Sequence, residues 1–153
     1  MSAFPPIEEL VPHASGMLLI DRVLASEGET VQSEAVIRTD NIFFRTGHGV
    51  PAYVGFELMA QTISAYDGLL RRKRGQPPAI GFLLGCRSYR CSKNFFEEGE
   101  RLHIKVTSVL EGEVGMASFE CEITDPKNKT EVAKAMINVF RPSDPSTSMG
   151  ADA

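Results

Sequence analysis

The chain has 153 residues, of which 42% are hydrophobic and 24% charged, the proportions of an ordinary globular domain, which excludes a disordered or fibrous chain. Sixteen Lys and Arg against twenty Asp and Glu leave a net charge of −4, without the basic footprint that nucleic-acid binding requires. No apolar run reaches the roughly 18 residues of a membrane span, and the opening MSAFPPIEEL lacks the basic and apolar regions of a secretory signal; with an odd count of three cysteines, the expectation is a cytoplasmic chain with free thiols and no disulfide framework.

In chain order, FPPIEELVPH predicts a short helix that Pro12 ends. Met17–Ala25 is a nearly continuous apolar run of strand length. Glu29–Arg38 alternates: Val31, Ala35 and Ile37 fall on one face, Gln32, Glu34 and Arg38 on the other. The Glu27-Gly28-Glu29 stretch between them predicts a hairpin turn. Pro51 opens the one long helical pattern, in which Phe56, Met59, Ala60, Ile63, Tyr66 and Leu70 recur at three- and four-residue steps. So few polar side chains interrupt it that other structure must surround most of its sides. Gly75 and Pro77-Pro78 end it.

The remainder reads as four strands: Ala79–Cys91, a segment in which Leu102, Ile104 and Val106 alternate with polar residues, Val114–Thr124 and Val132–Arg141. Hairpin-linked strands make an antiparallel sheet, and one buried helix beside it makes the class α+β. Residues 1–141 form a single domain in this reading. Residues 142–153 lack apolar periodicity and form a disordered tail.

Phosphate-binding, dinucleotide-binding, zinc-protease and nucleophile-elbow motifs are all missing, and no cysteine–histidine spacing predicts a metal. The residues out of place are Glu57 and Gln61, inside the apolar helix. His48 lies nine positions before Glu57 in a Gly-flanked loop. A carboxyl and an imidazole facing one apolar cavity can divide acid and base roles, and the helix start offers amides for a developing oxyanion. The competing interpretation is a solvated stripe carrying Glu57 and Gln61, with His48 a plain loop residue. His13 is assigned a hydrogen-bonded structural role, and His103, between Leu102 and Ile104, a solvent-facing one. The run Arg71-Arg72-Lys73-Arg74 suits a helix C-terminus, each cation being worth ~0.3–1 kcal/mol there. With Arg87, Arg90 and Lys93 it equally suits an acidic partner.

Three stretches carry a likeness. Val11-Pro12-His13 through Met17 to Asp21-Arg22-Val23 resembles the opening motif of the hotdog-fold 3-hydroxyacyl-acyl-carrier-protein dehydratases. Pro51 through Gly55-Phe56-Glu57 to Gln61 resembles the head of their central helix, where an acidic residue is followed four places on by Gln. Phe95-Phe96-Glu97-Glu98-Gly99 to Leu102 resembles their turn into a late strand. The matches fall in the right order over most of residues 4–141, and within the family they most resemble the dehydratase-like proteins of aryl-polyene biosynthesis clusters. The family's His-Phe-Pro-Gly-His-Pro type loop is missing. Its histidine stands about fourteen places before the helix carboxylate; here that position is Phe43.

The resemblance implies a hotdog fold, with an antiparallel sheet around one long helix. It implies a homodimer or a heterodimer with a related hotdog subunit, or a higher oligomer, with tunnels at the protomer interface. The substrate would arrive on the phosphopantetheine arm of an acyl carrier protein, with no other cofactor and no metal. Glu57 and His48 would be catalytic. Gln61, Phe56, Met59, Phe82 and Gly85 would bind substrate, and Arg71, Arg72, Arg74, Arg87 and Arg90 would hold the carrier protein. The reaction would convert a 3-hydroxyacyl thioester to the trans-2-enoyl thioester. The alternatives are a hotdog acyl thioesterase and a non-catalytic, carrier-binding half of a heterodimeric dehydratase.

Overall fold

The computed structural model describes residues 4–13, 15–77, 83–111 and 115–140; Phe82 and the stretch 142–153 lie outside them. The elements are β1 (Arg22–Glu27), β2 (Thr30–Val36), β3 (Val50–Pro51), α1 (Val54–Lys73), β4 (Leu83–Cys91), β5 (Phe95–Phe96), β6 (Arg101–Glu111), β7 (Met116–Asp125) and β8 (Thr130–Phe140). Six strands form one antiparallel sheet in the order β1-β2-β6-β7-β8-β4, and β3 pairs with β5 in a separate two-residue ladder. This α+β arrangement, one long helix against an antiparallel sheet, is the one expected.

The alternating segments form strands because a sheet with one face on a core demands period two. Leu102, Ile104 and Val106 of β6, Phe119, Cys121 and Ile123 of β7, and Ala133, Ala135, Ile137 and Val139 of β8 are all buried. They pack against α1, in which every residue from 58 to 68 is buried. A fully buried Leu, Ile or Phe contributes about 1.5–3 kcal/mol, so enclosing the helix is the main stabilising term.

The N-terminal segment closes the helix on its remaining side; Gly68 allows this approach, and Gly55 allows that of β4. A Cβ on Gly68 would sit 2.3 Å from the carbonyl oxygen of Leu10. A Cβ on Gly55 would sit 2.2 Å from Tyr89 Oη, which itself donates to the carbonyl of Ala52.

Four elements differ from expectation. The N-terminal helix is a single 3₁₀ turn, Ile7–Glu9. The apolar run from Met17 follows directly on a 3₁₀ turn at Ser15–Met17 and enters the sheet only at Arg22, because the amides of Leu19 and Ile20 bond to a helix side chain rather than to a strand. Pro51 belongs to β3, paired with Phe95, so α1 starts three residues later. Asn94–Gly99 contains β5 as well as a turn.

The outer face of β1, β2 and β6 carries a buried carboxylate. Glu34 is 4% exposed, and the strand register places Arg22 and His103 directly opposite it. Its oxygens meet Arg22 Nη2 at 3.1 Å, Arg101 Nη1 at 2.7 Å and His103 Nε2 at 3.0 Å. His103 is therefore half-buried and engaged rather than facing solvent. Burial pushes the Glu34 carboxyl up, but hydrogen bonds from His103 and Arg22 and the charges of Arg22 and Arg101 outweigh it and hold it below its ordinary 4.5.

Gly68→Ala should destabilise the fold by about 2–4 kcal/mol in urea denaturation, because the clashing atom is backbone and cannot rotate away. Glu34 is depressed in the folded state, so its stabilisation is complete above its unfolded pKa. It is lost as pH falls from about 4.5 through the lower folded value. Glu34→Gln should flatten the acid limb of a stability–pH curve and lower stability at pH 7.

Candidate active site

The site is organised by Gln61, a fully buried amide in the middle of an apolar helix. Its Oε1 accepts from the backbone N–H of Leu19 at 2.8 Å and of Ile20 at 3.3 Å. Its Nε2 donates to the carbonyl oxygen of Met17 at 2.8 Å and to Glu57 Oε1 at 3.2 Å. Both hydrogens and both lone pairs are thereby used. One side chain ties residues 17–20 to α1 and orients the carboxyl one turn before it, since positions four apart share a helix face.

Glu57 lies in the first turn of α1 with its side chain 36% exposed. Its carboxyl stands at the positive end of the helix dipole. The imidazole that faces it is His13, whose Nε2 is 3.6 Å from Glu57 Oε1. The structural role assigned to His13 from sequence is thus incomplete. Its Nδ1 is buried without a hydrogen-bond partner among the described residues, a situation that costs about 1–3 kcal/mol and calls for an explanation. Glu57 Oε2 likewise has no polar protein partner among the described residues.

His48 is placed elsewhere. Its loop is closed by paired bonds between Arg45 and Gly49, and its exposed ring stacks on Phe95, centroids 5.2 Å apart. Among the described residues no polar contact joins it to Glu57 within the protomer. Of the expected substrate-binding residues, Phe56 is half-buried beside Glu57, and Gly85 is exposed on β4. Met59 is fully enclosed by the core and meets no open surface of this protomer. Phe82 lies outside the described residues.

The arginines do not form one patch. Arg71 Nε is committed to the buried Asp67 at 2.9 Å, and Arg72 lies 3.8 Å from Glu9. Lys73 and Arg74 are exposed and pair with no acidic side chain among the described residues. Arg90 follows Tyr89, which bonds at the other end of α1. A 20-residue helix is about 30 Å long, so Arg90 is remote from Arg71–Arg74. The side chain of Arg87 is not described. An open depression of about 690 Å³ is walled by charged groups including Lys93, Glu97, Glu100, Arg101 and Asp125. It does not include Glu57 and has the wrong lining for an acyl chain. Among the described residues no acidic, His or Cys cluster suits a metal ion, and no helix is long and apolar enough to cross a membrane.

Comparison with solved structures places this fold among hotdog proteins. The chain is similar to the PaaI protein of the Escherichia coli phenylacetic acid degradation operon, at 11% identity and TM-score 0.59, over 78% of this chain and 82% of that one. It is also similar to a hypothetical thioesterase from Streptococcus pneumoniae, at 16% identity and TM-score 0.59, over 80% and 88%. At such identities these likenesses speak for the fold alone. A structure of the dehydratase heterocomplex ApeI:P from Xenorhabdus doucetiae aligns over 98% of this chain and 99% of that chain, at 25% identity and TM-score 0.84. A family model, ApeP-like (ApeP dehydratase), matches residues 5–150. The chain therefore belongs to the ApeP-like dehydratases and is an enzyme of the lyase class. No curated protein matches it.

The clamp has a measurable worth. Gln61→Leu keeps the volume but leaves the N–H groups of Leu19 and Ile20 buried without their acceptor, and takes the donor from the Met17 carbonyl. At about 1–3 kcal/mol for each orphaned group, urea denaturation should show a loss of roughly 2–4 kcal/mol, and hydrogen exchange at Leu19 should accelerate.

Proposed function

We propose that this dehydratase removes water from a 3-hydroxyacyl thioester carried on the phosphopantetheine arm of an acyl carrier protein, in fatty-acid or aryl-polyene type biosynthesis, and that it works as a heterodimer with a related hotdog subunit. The observation that carries the reading is Glu57. It is a partly exposed carboxyl at the head of an otherwise enclosed apolar helix, held through one oxygen by the buried Gln61. A group fixed in this way is preorganised for proton transfer. The likeness to the heterocomplex ApeI:P supports the paired state.

In the reaction an imidazole takes the α-proton, the electron pair forms the carbon–carbon double bond, and the β-hydroxyl departs with a proton from Glu57 as water. Charge developing on the thioester carbonyl would be met by backbone N–H groups at the start of α1 or at Gly85 on β4. The exposed ring of His48 makes it the imidazole this chain would offer across an interface, towards a carboxyl of the other subunit. Lys73 and Arg74, with Arg72 beside them, are the cations best placed for an acidic carrier protein. Arg71 is already committed to Asp67. The apolar Phe56 is the described side chain placed to border an acyl chain near Glu57.

The experiment supplies a 3-hydroxyacyl carrier protein to the wild type, alone and with a related hotdog subunit, and follows loss of one water by mass spectrometry. Glu57→Gln should lower the rate by about 10²–10⁴-fold while the thermal midpoint stays within a few degrees. Absence of water loss by the wild type in both settings refutes the proposal, and release of free acid would install thioester hydrolysis in its place.

A further inference from the structure

We propose that His13 is a positioning residue for Glu57, supplied by the same chain, and that with Gln61 it fixes which carboxyl oxygen meets the substrate. The inference rests on the reading of Glu57 as the proton-transferring group. Two nitrogens address one oxygen: Gln61 Nε2 lies 3.2 Å and His13 Nε2 3.6 Å from Glu57 Oε1. Oε2 has no polar protein partner among the described residues, and the side chain is 36% exposed. A carboxyl anchored at one oxygen from two sides loses rotational freedom and presents the other oxygen, in one orientation, to whatever enters.

The unsatisfied nitrogen of His13 agrees with this role. Nδ1 is buried and meets no acceptor among the described residues, so a proton placed there would be stranded. The tautomer assigned from these contacts carries its proton on Nε2, the nitrogen that faces Glu57. The separation of 3.6 Å is long for a hydrogen bond, as catalytic contacts often are before substrate arrives. The ring is held in place by its neighbours in the chain. Pro12 restricts the backbone before it, and four residues after it the Met17 carbonyl is bonded to Gln61. The amide that orients Glu57 therefore also anchors the segment that carries His13.

The test uses the full chain in complex with its hotdog partner subunit and compares His13→Leu, His13→Gln, Glu57→Gln and the double variant His13→Leu/Glu57→Gln. His13→Leu keeps similar volume and removes the stranded nitrogen, so it should fold at least as stably as the wild type. It should nevertheless lower kcat by about 10–100-fold with KM changed less than about threefold. His13→Gln, which can place an amide N–H near the position of Nε2, should recover kcat to within about fivefold of wild type. In the Glu57→Gln background His13→Leu should have no further effect, because it acts through the carboxyl. If His13→Leu keeps kcat within threefold while Glu57→Gln abolishes activity, His13 has no positioning role and the reading of Glu57 stands. If Glu57→Gln itself retains wild-type activity, both fall. A loss of kcat in His13→Leu that adds in full to that of Glu57→Gln would overturn the positioning role as well.

Discussion

The buried amide of Gln61 is the interaction on which the rest of the site depends. A neutral side chain is the right choice there. An amide can donate twice and accept twice, and those are the needs of a loop strand with two free N–H groups, a carbonyl and a neighbouring carboxylate. A charged group in the same place would carry a large desolvation cost. A hydrophobic one would leave the 17–20 segment without hydrogen bonds, since this segment runs outside the sheet ladder and has nowhere else to place them. The clamp thus joins three things: the entry of the chain into β1, the closing of the core over α1, and the orientation of Glu57.

Enclosure of the helix has a second consequence. Because residues 58–68 of α1 are buried all round, chemistry can appear only at its two ends. At the N-terminal end stands Glu57, next to Phe56, under the positive end of the dipole. At the C-terminal end stand Arg72, Lys73 and Arg74, which complement the negative end. The two ends are separated by the length of the helix, which under the proposed function divides the reacting carboxyl from the cations offered to an acidic carrier protein. The price of enclosure is paid by small residues: Gly68 and Gly55 lie where backbone and a tyrosine oxygen come too close for any side chain.

Much of the sheet was legible in the order of residues because burial of one face imposes alternation, and β6, β7 and β8 show it with little interruption. The apolar run at 17–20 was misleading for a physical reason. Hydrophobicity reports that a segment is covered, and it does not report whether its amides bond to a strand or to a side chain. Pro51 misled in the same way, since a proline suits both the first turn of a helix and a short edge pairing. Glu34 gave no sign of burial, because its alternation placed it on the outer face; Arg22, Arg101 and His103 cover it only once three strands are in register.

The candidate site shows the same boundary. The pair Glu57 and Gln61 was visible because polar residues stand out in an apolar helix and four-residue spacing is a local rule. The imidazole beside them was not. His48 is near Glu57 in sequence, but its loop turns back on itself and its ring stacks on Phe95. His13 lies far away in sequence and reaches Glu57 because Gln61 bonds across the intervening chain to Met17, Leu19 and Ile20. Sequence by itself determined which segments are covered, where the one long helix runs and which of its residues are chemically out of place, since these follow from periodicity and desolvation. Tertiary structure alone decided which imidazole faces the carboxyl and which arginines are free, because these depend on long-range hydrogen bonds that no local pattern encodes.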